Sequence, residues 1–420
     1  MLADSMKGSN LRMDGYETGK DLQDVGQIQL VAGFRSSAPA LGDSFKLLDG
    51  RKSSPGGSDA KASAFLPLLG LYVGLRAVLF LGNVLVARMT MAPSWLVPFT
   101  AWDGHWYTQV AQTWYGSSEL GTGQLTYSAG GFGPGWPALI RIGTLLGLSL
   151  SGSAFLMSLV VGAITVYAIW RLSCEVVPQN SLAATTAVIV FPGAAVAFGL
   201  AYSEVLGIGC AAATLFFFMR RRWVLAGIAG AVATATSPIA VVLPVACLVE
   251  AILLIRQRRE YKSLLPVFIA PLGFIGFVAY LGYLANDPFY WWKLQAQAWG
   301  AKIEPGYIFH WLWGLEGSGW GMYWLAALGL MILVYLVVTA VRSELPVSAK
   351  VYCVAVALMA LANPAIGPKP RFLFWMFPSL MLLPVNLKPK VFSTVVTVMA
   401  MLLPLLLIAY TTIGNTVAQP

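Results

Sequence analysis

AFLPLLGLYVGLRAVLFLGNVLVARM, residues 64–89, decides the fold class. Its 26 residues carry charge only at Arg76 and Arg88. At ~1.5 Å per helical residue, about 20 apolar residues cross the hydrocarbon core of a bilayer. This stretch therefore reads as a transmembrane helix. Runs of the same kind follow at 151–172, 182–199, 203–219, 223–237, 238–255, 264–285, 320–341, 349–363, 372–386 and 391–413. A further run, 134–149, is separated from the next by Ser151-Gly152-Ser153 and reads either as a twelfth span or as a helix along the membrane surface. The composition agrees. The chain is 58% hydrophobic and 11% charged, with a mean hydropathy of +0.71, where a soluble domain carries roughly a quarter charged residues. The expected fold is an all-α polytopic membrane protein of about eleven spans, with 10–13 as the range the soft boundaries allow.

Residues 1–62 differ. They are rich in Gly, Ser, Asp and Lys, with eight basic and eight acidic residues. Such a segment buries too little apolar surface to offset its ordering entropy, so it reads as a disordered cytoplasmic tail before a membrane domain at 63–420. The first long apolar run begins too late and is too long for a secretory signal peptide. The cysteines (Cys174, Cys210, Cys247, Cys353) lie in or beside apolar runs without metal-ligand spacing.

A net charge of +9 raises the question of nucleic acid. The Lys and Arg residues instead fall in short clusters between apolar runs, as membrane topology requires. With the N-terminus inside, fifteen basic residues lie on the cytoplasmic side, among them Arg220-Arg221-Arg222 and Arg256, Arg258 and Arg259. Six lie outside: Arg88, Arg141, Lys293, Lys302, Lys369 and Arg371. No nucleic-acid partner is expected.

This orientation leaves two long outer segments, 90–133 and 286–319, and long loops in a compact protein are usually functional. Twelve of the fifteen tryptophans fall within or beside them. An interfacial belt forms on both faces, so the one-sided enrichment points to packed outer loops with interfacial helices that build a site.

Within the first loop, positions 102, 106, 110 and 114 recur at helical spacing. Asp103 sits at the start of this short helix. Spacing allows two readings: Thr100-x-x-Asp103 as a capping box, or Asp103 as a general base for a hydroxyl. Other outer polar groups are Glu204, Asp287, Lys293, Gln295, Gln297 and His310. Lys369-Pro370-Arg371 places two cations behind a Gly367-Pro368 turn. These suit a lipid-linked phosphate or ordinary interfacial anchoring. The sequence contains no Walker loop, dinucleotide fingerprint, zincin motif or hydrolase elbow, which weighs against a soluble nucleotide donor.

Five motifs in order resemble the PIG-V-type mannosyltransferases of the GT-C class of membrane glycosyltransferases. They are Trp102-Asp103-Gly104 with Trp114-Tyr115-Gly116; Phe132-Gly133-Pro134-Gly135-Trp136-Pro137; Ala201-Tyr202-Ser203-Glu204; Asp287-Pro288 with Gln295, Gln297 and Trp299; and Arg371-Phe372 before Pro378. Three departures stand: the tail at 1–62 has no counterpart in the core family, and two more lie in the motifs. Thr236-Ser237-Pro238 occupies the place of a Thr-Arg-Pro, and the first Pro of the Phe-Pro stretch is displaced to Pro134.

The resemblance implies inverting transfer of mannose from a polyprenyl-phosphate carrier to an acceptor hydroxyl on a glycolipid, glycan or protein. Asp103 would be the base, and Lys369 and Arg371 would hold the donor phosphate. Trp102, His105, Glu204, Lys293, Gln297 and His310 would contact substrate. No metal or other cofactor is implied. The site would face the outside of the plasma membrane, or the ER lumen in a eukaryote. The rival readings are a GT-C enzyme for another lipid-linked sugar and a transporter of lipid-linked sugar, for which Arg76, deep in the first span, is the main support.

Overall fold

In the computed structural model, the described residues are 62–116, 129–301, 303–304, 306–309, 320–363 and 366–412. The expected tail, up to residue 61, and His310 lie outside them. The described residues belong to one compact unit, Leu41–Pro420.

The principal helices are α1 (Leu66–Met89), α2 (Asp103–Thr113), α3 (Gly135–Leu145), α4 (Leu150–Val176), α5 (Ser181–Ile189), α6 (Ala194–Gly199) and α7 (Glu204–Met219). They continue as α8 (Trp223–Thr236), α9 (Val242–Arg258), α10 (Leu272–Leu284), α11 (Tyr290–Gln297), α12 (Trp320–Arg342), α13 (Val347–Ala362) and α14 (Pro389–Thr412). No strand occurs among the described residues. Six helical segments there are long and apolar enough to cross a membrane: Ser63–Met89, Leu150–Val176, Pro238–Arg258, Tyr261–Leu284, Trp324–Arg342 and Pro389–Thr412. Three shorter apolar helices, α7, α8 and α13, join them. The outward faces are what lipid requires. On α1, Leu66, Val73, Val78, Leu81 and Leu85 are exposed, while Leu68, Tyr72, Leu75 and Leu79 pack inward.

The eleven apolar runs are helical among the described residues, but three are broken. Run 264–285 divides into Leu265–Ile269 and Leu272–Leu284 around Pro271. Run 182–199 divides into α5 and α6 around Phe191-Pro192-Gly193. Run 372–386 forms a chain of short helices, Pro370–Leu373, Phe374–Met376, Phe377–Leu380 and Leu383–Asn386, interrupted by Pro378 and Pro384. Proline removes a backbone donor and clashes with the preceding turn. Irregular backbone at membrane depth is tolerated only inside protein, and runs 182–199 and 372–386 are almost wholly buried. They meet at Gly193, where a Cβ would collide with the Pro370 carbonyl oxygen and Phe374 Cβ. The run 134–149 resolves against a twelfth span. α3 has 11 residues, about 16 Å at 1.5 Å each, and ends before Gly147, whose φ is +89°. Ser153 Oγ on α4 donates to the Ile140 carbonyl at 2.5 Å, tying α3 to α4.

The chain leaves helical geometry again between α6 and α7, where Leu200 is extended. The carbonyls freed there have specific partners. Arg76 Nη1 donates to the Phe198 carbonyl. Asn83 Nδ2 reaches Gly199 O at 2.8 Å, and Trp136 Nε1 reaches Ala201 O at 3.1 Å. Ala201 N donates to Phe99 O at 2.9 Å. The charge inside α1 is thus a backbone cap, and it fixes the segment that carries Tyr202, Ser203 and Glu204.

Candidate active site

Three chain segments converge beyond that cap: the start of α2, the start of α7, and the short helix Pro370–Leu373. Arg371 joins them. Its Nη2 lies 2.7 Å from Asp103 Oδ2, and its Nε donates to Glu204 Oε1. The Tyr202 ring lies under the guanidinium at 4.7 Å and the Phe372 ring at 5.1 Å. The partners differ in exposure: the Asp103 side chain is 22% exposed, Arg371 12% and Glu204 4%. Glu204 Oε2 is buried without a hydrogen-bond partner among the described residues.

Local geometry shows why Asp103 points here. α2 begins at Asp103 itself, and no side chain caps it. Thr100 Oγ1 bonds back to Leu96 O at 2.9 Å. The capping-box reading is therefore overturned. Trp102 turns the chain at φ 57°, ψ −126°, and its Nε1 is anchored on Tyr410 O at 2.9 Å. Asp103 N faces the Tyr202 hydroxyl at 3.3 Å. The buried face of α2 is Gly104, Tyr107, Val110 and Ala111, which shares only Val110 with the expected 102, 106, 110 and 114. The aromatic spacing misled because Trp102 precedes the helix and Trp114 follows it in a left-handed turn with φ 52°.

Charge and burial act together at the site. Burial alone would pull Arg371 down, but Asp103 and Glu204 outweigh it and hold the guanidinium well above its ordinary range. Burial, reinforced by Glu204 and Asp103, keeps the Tyr107 phenol well above the usual value. Its hydroxyl pairs with Ser203 Oγ at 2.5 Å. Burial, with Arg371 adding to it and Asp103 opposing, draws Lys369 down to about 8. Gly367, at φ +62°, turns the chain ahead of Pro368-Lys369.

The other expected residues lie elsewhere. His105 is exposed, its ring edge-on to Trp106 at 5.5 Å. Lys293 pairs with Asp287 at 2.7 Å. Gln297 is exposed on α11. The same helix and the residues just after it meet the site indirectly: Gln295 Nε2 donates to Gly131 O at 2.8 Å, and Trp299, beyond the helix end, packs edge-on to Phe132 at 5.1 Å. Phe132 in turn meets Tyr107, and Tyr107 meets Tyr202. Tyr107, Ser203 and Tyr202 are the site residues that sequence reasoning passed over. Tyr202 and Ser203 stood inside a quoted motif; Tyr107 carried no signal beyond its place in the aromatic loop. Gly133 and Gly135 pack against Ala235 and Thr236, where a Cβ on either would clash, so the departures at Pro134 and Ser237 lie at one contact. Among the described residues, no three His, Cys, Asp or Glu side chains gather as metal ligands.

No protein-family profile matches the chain, and no curated protein sequence matches it. Among solved structures, the crystal structure of ArnT from Cupriavidus metallidurans bound to undecaprenyl phosphate is similar, with TM-score 0.50 and 16% identity, over 80% of this chain and 63% of that one. This chain therefore spans less than two thirds of that protein's length. The likeness concerns the fold: a polytopic helical membrane protein of the GT-C type.

Proposed function

We propose that the protein is an inverting glycosyltransferase that moves mannose from a polyprenyl-phosphate carrier to an acceptor hydroxyl at the outer face of the membrane. The observation that carries the reading is the convergence of Asp103, Glu204 and Arg371, with Lys369 two residues away in the chain, at one end of the helices. The undecaprenyl phosphate in the ArnT crystal supports a lipid-phosphate ligand for this fold.

In the proposed reaction, the acceptor oxygen attacks the anomeric carbon and its proton passes to Asp103. The anomeric carbon–oxygen bond to phosphate breaks, and its electron pair stays on the departing polyprenyl phosphate. Preorganised cations stabilise that growing charge, which is the work of Arg371 and Lys369. A phosphate leaving group requires no general acid. Burial of Tyr107 and Tyr202 keeps both phenols protonated, so they serve as donors and not as bases.

The test uses purified protein in detergent, radiolabelled polyprenyl-phosphate mannose and a panel of hydroxyl acceptors. A well-placed base contributes roughly 10²–10⁴-fold. Asp103→Asn should lose transfer on that scale while still folding, because Glu204 keeps Arg371 paired. Wild-type turnover in Asp103→Asn would sink the assignment. Transfer from a glucose or arabinose donor alone would redirect the sugar. Movement of labelled lipid in proteoliposomes, without a new glycosidic bond, would make the protein a transporter.

A further inference from the structure

The resting site poses a chemical difficulty: Asp103 Oδ2, a candidate proton-accepting oxygen, is already engaged by Arg371. The same guanidinium is, with Lys369, a cation that the proposed reaction assigns to the incoming phosphate. Arginine can hold two anions on separate edges of its planar fork, and here both edges are taken, Nε by Glu204 and Nη2 by Asp103.

We propose that Glu204 is a positioning residue that anchors the Arg371 guanidinium by Nε, while the Nη edge of Arg371 exchanges Asp103 for the donor phosphate. The inference rests on the reading of the site as one for a polyprenyl-phosphate donor.

Exposure decides which carboxylate leaves. At 4% exposure Glu204 has almost no water to replace a lost partner, whereas Asp103 at 22% does. An ion is costly to strand in a dry site and cheap to release into water. The Tyr202 and Phe372 rings flank the guanidinium, so it pivots about Nε while keeping its plane. The chemistry drives the exchange in the same direction. As the hydroxyl proton reaches Asp103, that carboxylate becomes neutral and stops competing for Arg371. As the anomeric bond breaks, the phosphate gains charge and binds Arg371 more strongly. Base and leaving group are thus linked through one side chain, and Asp103 is released only when donor phosphate is present.

Undecaprenyl phosphate binding to the full chain in detergent near pH 7 tests this on wild type, Asp103→Asn and Glu204→Gln. Removing the competitor should tighten binding about fivefold in Asp103→Asn, the worth of one partly exposed ion pair. Glu204→Gln, which removes the anchor, should not tighten it. Equal tightening in both variants means simple charge repulsion and overturns the exchange, as does unchanged or weaker binding in Asp103→Asn. A structure of the wild-type protein with undecaprenyl phosphate gives a second readout, independent of whether the variants fold. Arg371 should bond phosphate by its Nη edge and Glu204 by Nε, with Asp103 withdrawn. An intact Arg371–Asp103 pair beside bound lipid refutes the exchange alone. Failure of wild type to bind the lipid refutes the lipid-phosphate reading and the exchange with it.

Discussion

Arg371 Nη2 stands 2.7 Å from Asp103 Oδ2, so the start of α2 is tied to the first short helix of the broken buried segment, Pro370–Leu373. Removing one partner of a buried ion pair strands the other and costs about 3–5 kcal/mol. Arg371→Ala leaves two carboxylates facing each other, one of them partly hydrated, so the lower end, about 3 kcal/mol, is expected in denaturant unfolding. Adding Glu204→Gln to Arg371→Ala should recover a large part of that loss. Arg371→Lys retains charge but not the planar fork; it should fold, yet lose transfer by about 10²-fold. A double variant no more stable than Arg371→Ala would show that the two carboxylates do not share this cation.

Lys369 gives the site a pH dependence. Drawn down to about 8, it is charged below that value and neutral above. If its cation helps hold the donor phosphate, affinity for undecaprenyl phosphate falls as pH rises through about 8. Stability moves the other way. Between about 8 and the ordinary lysine range the unfolded chain binds the extra proton, so the folded state gains stability as pH rises. Lys369→Arg should carry the binding limb to higher pH. A flat binding profile from pH 6.5 to 9.5 in wild type would remove Lys369 from the phosphate site.

Arg76 is predicted to act on stability and on the site at once. It donates to the Phe198 carbonyl where α6 ends, a buried group that has no water to fall back on. Leaving such an acceptor unpaired costs about 1–3 kcal/mol. Arg76→Leu should lower the unfolding free energy by at least that much and slow transfer, because Tyr202 to Glu204 hang from the capped segment. A stable, inactive Arg76→Leu variant would instead return Arg76 to the transport pathway.

Much of the fold was legible because lipid imposes a length rule that composition alone reveals: runs of 20 or so apolar residues are helices. The runs divided at prolines escaped that rule. Their prolines were visible, but whether a proline kinks a helix or divides it depends on the burial that neighbours provide, and neighbours are tertiary facts. In the site, Asp103, Glu204 and Arg371 were each legible as isolated outer charges. Their union was not, since it depends on tertiary contacts such as the Arg76 cap, the Gly193 crossing and the Trp102 turn. Lys293 looked equivalent in sequence, yet Asp287, six residues earlier, takes it locally.

Metal independence is an expectation of the proposed mechanism. Transfer should persist unchanged in EDTA, with Arg371 and Lys369 supplying the positive charge. Loss of activity in EDTA and its return with a divalent cation would require a different account of leaving-group stabilisation.

Trp102 offers the sharpest test of how the site is held. With φ 57° and ψ −126°, it occupies a region that a side chain makes costly, about 1–3 kcal/mol, and that glycine adopts freely. The indole offsets this strain by bonding Tyr410 O at 2.9 Å, and the turn it makes aims Asp103 at Arg371. Both Trp102→Ala and Trp102→Gly forfeit the tether, so transfer should fall in each. Only Trp102→Gly sheds the strain. Its unfolding free energy should therefore exceed that of Trp102→Ala by about 1 kcal/mol, the reverse of the usual order in which glycine is the more damaging replacement. If alanine proves the more stable of the two, the turn at 102 is not strained, and Asp103 owes its orientation to Arg371 and Tyr202 alone.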